Sequence, residues 1–200
     1  MIDGDTLDRI VAFHGHLCPG LAMGVQASRL ALREIGASAT DEEVVAVVET
    51  DMCGVDAIQF LTGCTFGKGN LVHRDWGKNA YTFFRRSDGR AVRIAGRPDA
   101  WEPDPGQEEV AARLSSGTAT DEDRARMQRF RQDRSRRLLE RDPEALFTVE
   151  EVHTAPPSLA RVHASVVCQR CGEGVMETRV RRLDGRDLCI PCFEGALEAD

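Results

Sequence analysis

No apolar run in this sequence approaches the roughly 18 residues that a membrane-spanning helix requires, so no span is expected. Met1-Ile2-Asp3-Gly4-Asp5 is acidic and lacks the basic region and apolar stretch of a secretion signal, which points to a cytoplasmic protein. Basic charge is also short: Lys and Arg number 26 against 33 Asp and Glu, a formal net charge of −7 over 200 residues. That balance disfavours wholesale binding to nucleic acid or to an anionic membrane. The glycine-rich stretch Gly63-Cys64-Thr65-Phe66-Gly67-Lys68-Gly69-Asn70 lacks the Gly-Lys-Ser/Thr ending of a nucleotide phosphate loop, and no strand leads into it. A nest of backbone N–H groups for some other anion, aided by Lys68, stays open there, with His73, Asp75 and Lys78 either lining the same pocket or on the surface. No internal repeat or low-complexity tract is present.

Cysteine is what the chain has in quantity. Of the seven, four form Cys168-Gln-Arg-Cys171 and Cys189-Ile-Pro-Cys192, with seventeen residues between the pairs, a spacing that suits a four-cysteine zinc module. Cys171-Gly172-Glu173 reads as a zinc knuckle. Thr178–Leu183 and Asp187–Ile190 flank the hairpin signal Asp184-Gly185, and the second cysteine pair opens a short helix at Phe193–Leu197. Knuckle, hairpin and helix describe a treble clef. A segment this small holds no core of its own, so structural zinc would supply its folding free energy. Two redox Cys-x-x-Cys pairs are the alternative reading.

The densest chemistry lies near the start, in Phe13-His14-Gly15-His16-Leu17-Cys18-Pro19-Gly20. His14 and His16, two apart in an extended segment, would face one side and converge with Cys18 on one guest. Cys18 precedes a helix from Leu21 to Ile35, where the free N–H groups favour a thiolate. Asp51-Met52-Cys53-Gly54 is a second concentrated segment, at a junction between a buried strand and a helix, where α/β chains place chemistry. Asp51, Asp56 and Gln59 give Cys53 polar company, whereas Cys64 alone suits a small buried hydrophobe equally well. Mixed sulfur and imidazole ligands with an open position would suit zinc or a transition metal, with His16, Cys18 and Cys53 as a candidate second metal site. A redox pair among these sulfurs is the alternative.

Periodicity supplies the frame. A short helix is expected over Thr6–Val11, capped by Asp5 or Thr6. Gly36 would end the Leu21–Ile35 helix, and Ala37–Thr40 reads as a small-residue turn. The β-branched run Glu43–Thr50 reads as a central strand, Val55–Thr62 as a helix and Leu71–Arg74 as a short strand. Ala80–Arg86 and Ala91–Ala95 form a hairpin around Asp88-Gly89. A proline-rich connector, Arg97–Gly106, leads to a helix at Gln107–Leu114. Thr120-Asp121-Glu122-Asp123 starts a long helix to Glu140, whose many arginines read as a solvated face first and an anion or partner surface second. Leu146–His153 is a strand, and Thr154-Ala155-Pro156-Pro157 ends the domain. The fold class is therefore α+β, a mixed α/β core domain over 1–157 and a treble-clef zinc finger over 158–200.

Three motifs, Phe13 to Gly20, Asp51 to Gln59 and Thr62 to Leu71, together with the Cys168–Cys192 finger, resemble the FmdE family of formylmethanofuran dehydrogenase subunits. The resemblance covers nearly the whole chain. It implies an α+β core, commonly dimeric, with the finger appended and a metal-associated cleft. Carried over position by position, His14, His16, Cys18, Cys53, Cys64 and Lys68 become candidates for that cleft, and Asp51 joins them from its place beside Cys53. The parent complex reduces carbon dioxide onto methanofuran with a molybdenum or tungsten pterin, chemistry that belongs to its other subunits. This chain shows no signature for a pterin, an iron–sulfur cluster or a nicotinamide. The expectation is a metal-binding homodimer, accessory to a molybdenum or tungsten enzyme or a small metalloenzyme itself. A zinc-finger adaptor for protein or nucleic acid and a thiol oxidoreductase are the alternatives.

Overall fold

Asp3 starts the first helix, α1 (Gly4–His14), where its carboxylate accepts the Thr6 N–H at 2.8 Å. The cap therefore lies upstream of Asp5 and Thr6, the positions expected from the sequence, and the helix runs on to His14. Gly15 ends it with φ 98°, a left-handed conformation that glycine adopts freely. His14 is thus the last residue of a helix and not part of an extended segment. The computed structural model describes residues 2–36, 43–100 and 104–198. The small-residue turn expected at 37–40 and the middle of the proline-rich connector lie outside them.

Cys18 caps α2 (Pro19–Ile35), with Pro19 in the first turn, where its missing N–H has no helical partner to lose. α2 is the central helix: Leu21 to Ser28 are all buried, along with Leu30, Ala31 and Ile35. One side packs on the sheet through Ala22, Met23, Ala27, Leu30 and Ile35, and another meets Ile10 and Ala57 through Leu21 and Val25. After α2 come β1 (Val44–Val48), α3 (Gly54–Thr62), β2 (Leu71–His73), β3 (Ala80–Arg85) and β4 (Ala91–Gly96). A short 3-10 turn (Pro98–Ala100) leads towards α4 (Gln107–Ser115), α5 (Asp121–Glu140), α6 (Pro143–Leu146) and β5 (Phe147–Glu151). The sheet order is β2-β1-β3-β4-β5, with β1 and β2 parallel across the α3 crossover and the other pairs antiparallel.

Two features fix the helices over this sheet. A Cβ on Gly24 of α2 would lie 2.2 Å from the Gly54 carbonyl oxygen of α3, so the two backbones touch where only glycine fits. At the far end of α5, the buried Gln26 side-chain amide donates to the carbonyls of Leu138, Leu139 and Arg141 at 2.6, 3.1 and 2.9 Å. These are carbonyls of the last turn that have few helical partners, so one α2 side chain holds the end of α5 in place. The start of α5 carries the expected capping box between Thr120 and Asp123. Arg113 of α4 adds a two-pronged ion pair to Asp123 at 3.0 and 2.6 Å.

The chain divides into two compact units, Met1–Leu159 and Ala160–Asp200. The second unit contains β6 (Ser165–Val167) paired with β7 (Gly174–Met176), then the hairpin of β8 (Val180–Leu183) and β9 (Arg186–Cys189), then α7 (Ile190–Leu197). Asp184 and Gly185 turn that hairpin with φ 49° and 76°, the conformation that an Asp-Gly pair favours. Knuckle, hairpin and helix follow in treble-clef order. α7 starts at Ile190, three residues before the expected Phe193, so Cys189 is its N-cap and Cys192 lies in its first turn.

Candidate metal centres and the adjoining cleft

The finger's donor atoms converge. One sulfur each from Cys168, Cys171, Cys189 and Cys192 lies within 4.8 Å of all the others. Cys171 Sγ and Cys189 Sγ are 3.9 Å apart, close to the roughly 3.8 Å edge of a tetrahedron with metal–sulfur bonds near 2.3 Å. Backbone N–H groups hold the Cys168 thiol down at about 6. The crowding of thiols pushes Cys192 up to about 12, with Cys189 the largest contributor. Four converging sulfurs, with Cys192 disfavoured as a thiolate by its neighbours, fit a divalent cation that stabilises the thiolates together.

A second group forms where α1 ends and α2 begins. The ligand atoms of His14, His16 and Cys18 also lie within 4.8 Å of one another, and the two imidazole centroids are 4.9 Å apart. The left-handed Gly15 produces this convergence by turning the chain back so that His16 faces the ring of His14. His14 Nε2 is 3.8 Å from Cys18 Sγ, against about 3.6 Å for nitrogen and sulfur ligands on one tetrahedral zinc. On the other side of the ring, His14 Nδ1 hydrogen-bonds to Asp56 Oδ2 at 2.6 Å. A carboxylate on the second ring nitrogen orients a ligating imidazole and makes it a better donor. Asp56 belongs to the first turn of α3, and Gln59 Nε2 donates to its other oxygen at 3.4 Å. The donor set, its spacing and the Asp56 support fit a metal held by three protein ligands with an open position.

Cys53 adjoins this group without being one of its three members. It is the N-cap of α3, and a Cβ on Gly20 would lie 3.8 Å from its sulfur and 4.0 Å from that of Cys18. The Gly24–Gly54 contact between α2 and α3 therefore sets the two cysteine caps side by side. Helix-start N–H groups do not acidify Cys18 as the sequence suggested. Its sulfur accepts the Leu21 N–H at 3.4 Å, but burial raises the thiol and outweighs that bond, with neighbouring Cys53 adding to the rise.

The other candidates divide. Asp51 is exposed beside Cys53. Cys64 is fully buried in the main core, donates to the Val44 carbonyl at 3.4 Å, and is raised by burial. Lys68 lies in the Gly63–Asn70 loop, which closes on itself. The N–H groups of Cys64, Thr65, Lys68 and Gly69 bond to Thr62, Asn70, Thr65 and Phe66, and this leaves little of the anion nest considered from the sequence. His73, Asp75 and Lys78 are exposed. The residue that sequence reasoning left out of the site is Asp56, which it placed only as polar company for Cys53.

Beside His16 and Cys18 opens a cavity of about 880 Å³ whose far wall is α4 and α5. Among the described residues, no helix is long and apolar enough to cross a membrane.

Comparison with known proteins agrees with this division of the chain. Residues 13–148 match the family model described as "FmdE, Molybdenum formylmethanofuran dehydrogenase operon". Residues 164–196 match the prokaryotic dksA/traR C4-type zinc finger. A "Probable S-adenosyl-L-methionine-binding protein" of Archaeoglobus fulgidus is 34% identical over 192 residues, which are 92% of this chain and 51% of that protein. The chain thus spans about half the length of that relative. In fold, the chain resembles a tungsten formylmethanofuran dehydrogenase FmdE-like protein from Syntrophus aciditrophicus, with a TM-score of 0.62 and 24% identity. That match covers 96% of this chain and 92% of the other.

Proposed function

As the chain belongs to the FmdE family, we propose that it is a two-centre metal protein. The finger holds a structural zinc ion through Cys168, Cys171, Cys189 and Cys192. His14, His16 and Cys18 hold a second ion, zinc or a divalent transition metal, with an open position for a ligand. The observation that carries this reading is the His14–Asp56 bond. A packing histidine has no need of a 2.6 Å carboxylate partner behind it and a thiol 3.8 Å in front, whereas a ligating histidine uses both.

A metal bound there would supply Lewis acidity to whatever occupies its open position. The protein's part is to orient. Asp56 fixes the His14 ring, Gly15 returns His16 to it, and the α2 start aims the Cys18 sulfur. In this proposal the protein is cytoplasmic and dimeric, and serves as an accessory to a molybdenum or tungsten enzyme or as a small metalloenzyme. Cys53, beside Cys18, is placed to meet the same guest. The chain spans about half of the Archaeoglobus relative, and S-adenosyl-L-methionine, which bears a net positive charge, is not the ligand suggested by a cavity whose described lining carries arginines and no acid.

Metal content by mass spectrometry, on untagged protein purified without chelator, tests the reading. Wild type is expected to carry two ions per chain and Cys18→Ala one. One ion in both would leave only the finger, and a Cys18–Cys53 disulfide in that protein would favour thiol chemistry instead.

A further inference from the structure

The wall opposite His16 and Cys18 is strongly cationic. Arg124, Arg131, Arg134 and Arg136 of α5 line the cavity, and among the described residues none of its lining side chains is acidic. Packing does not require these arginines. Of the twenty residues of α5, only Asp123, Met127, Ser135 and Leu138 are buried. Three of the four have acidic partners. Arg134 bonds to Asp104 and Gln107, at 3.4 and 2.7 Å. Arg136 reaches Asp133 at 3.7 Å, and Arg124 reaches the exposed Asp121 at 3.4 Å. Arg131, midway along the helix, has no ion pair among the described residues. An exposed guanidinium with no ion pair among the described residues, lining one cavity with three other arginines, is chemically suited to an anion.

We propose that this cavity binds a small organic anion, a carboxylate or a phosphate, with its charge on Arg131 and Arg124 and its other end at the His14/His16/Cys18 centre. The volume is in the range of small-molecule sites. Gln26 of α2, the helix that Cys18 caps, holds the last carbonyls of α5, and Arg113 ties α4 to the start of α5, so both parts of the wall are joined to one another and to α2. The protein's net charge of −7 would repel an anion at long range, which makes a local run of arginines a means of selection. Only the far end of this proposal rests on the metal reading, because the arginines need no metal to bind an anion.

Calorimetric titration of the full chain with inorganic phosphate and with succinate tests it, on metal-loaded and on chelated protein, with metal content read in each sample. Saturable binding of at least one probe is expected, weakening with added salt. Arg131→Gln should weaken it by about tenfold or more, as loss of a charge-assisted bond does. Arg129→Gln removes the same charge from an exposed residue of the same helix outside the cavity wall, and should leave the affinity nearly unchanged. Which probe binds more tightly decides between carboxylate and phosphate. Absence of binding by both, or equal weakening by Arg131→Gln and Arg129→Gln, would overturn the proposal even if two metals are present. Binding that persists when only the finger's zinc is found would uphold the anion site and contradict the metal centre instead.

Discussion

The two units of this chain are stabilised by opposite means. The core domain buries a continuous apolar cluster around α2 and the sheet, with Tyr81, Phe83, Phe147 and Ile94 all at 1% exposure or less. The finger buries little more than Cys168 and Leu188, and its remaining apolar groups are partly or fully exposed. Apolar burial of the first kind stabilises without a cofactor, whereas the finger's strands and helix are tied by four sulfurs. The same donor chemistry therefore does different work in the two places. In the finger a metal makes the fold. At the His14/His16/Cys18 centre the fold is already made, and a metal would be free to do chemistry.

The contrast is broken most severely by removing metal. A strong chelator should unfold residues 164–196, with loss of amide dispersion in nuclear magnetic resonance, since structural zinc in such modules is worth on the order of 10 kcal/mol. The core should stay folded, its thermal midpoint lowered only by the stabilisation that the second ion gave. If both units unfold together, the core leans on metal too and the contrast is wrong.

Gly24→Ala strikes the other unit. Its new Cβ meets the Gly54 oxygen at 2.2 Å, and backbone cannot step aside cheaply. A loss of about 3 kcal/mol in the core's denaturant unfolding is expected, with the finger's zinc retained. Asp56→Asn sharpens the comparison at the second centre. It should lower that site's metal affinity by about 10- to 100-fold, measured by competition with a chelating dye, and leave the finger's affinity unaltered.

Acid gives the smallest separation. In the folded finger the Cys168 thiol is held below its ordinary 9.0, so the thiolate that zinc needs is fully favoured above 9.0 and opposed by protons as pH falls through about 6. In the core, the Arg85 guanidinium lowers Asp88 from 3.8 to about 2, so its contribution to stability is full above 3.8 and lost only as pH falls through about 2. Zinc competes with protons and moves the finger's loss lower, but the order should stand. A pH titration that follows zinc release and core circular dichroism together should see zinc leave first.

Much of this arrangement was legible in the sequence because it is local. The finger's spacing, its Asp184-Gly185 turn, the β1 run and the Thr120 capping box each depend on residues a few positions apart. What could not be read depends on distant partners. His14 and Asp56 are 42 residues apart, and nothing in either segment announces the other. Cys18 looked acidified from its helix position, yet burial, a property of the whole fold, decides its direction. Cys64 stands among polar and glycine neighbours, and only the packing of Val44 over it shows it to be core. The α5 arginines read as a solvated face, and most of them are exposed; that four also line a cavity bordered by α4 and the loop before α2 is something no periodicity in α5 reveals.

The central claim is that His14, His16 and Cys18 form a metal centre separate from the finger. Cobalt(II) titration of the full chain, with zinc already in the finger, tests it most directly. The account predicts one further cobalt ion, with absorption of a mixed nitrogen and single-thiolate site that disappears in His14→Ala and Cys18→Ala. No further uptake, or a spectrum of several thiolates that survives both substitutions, would contradict it.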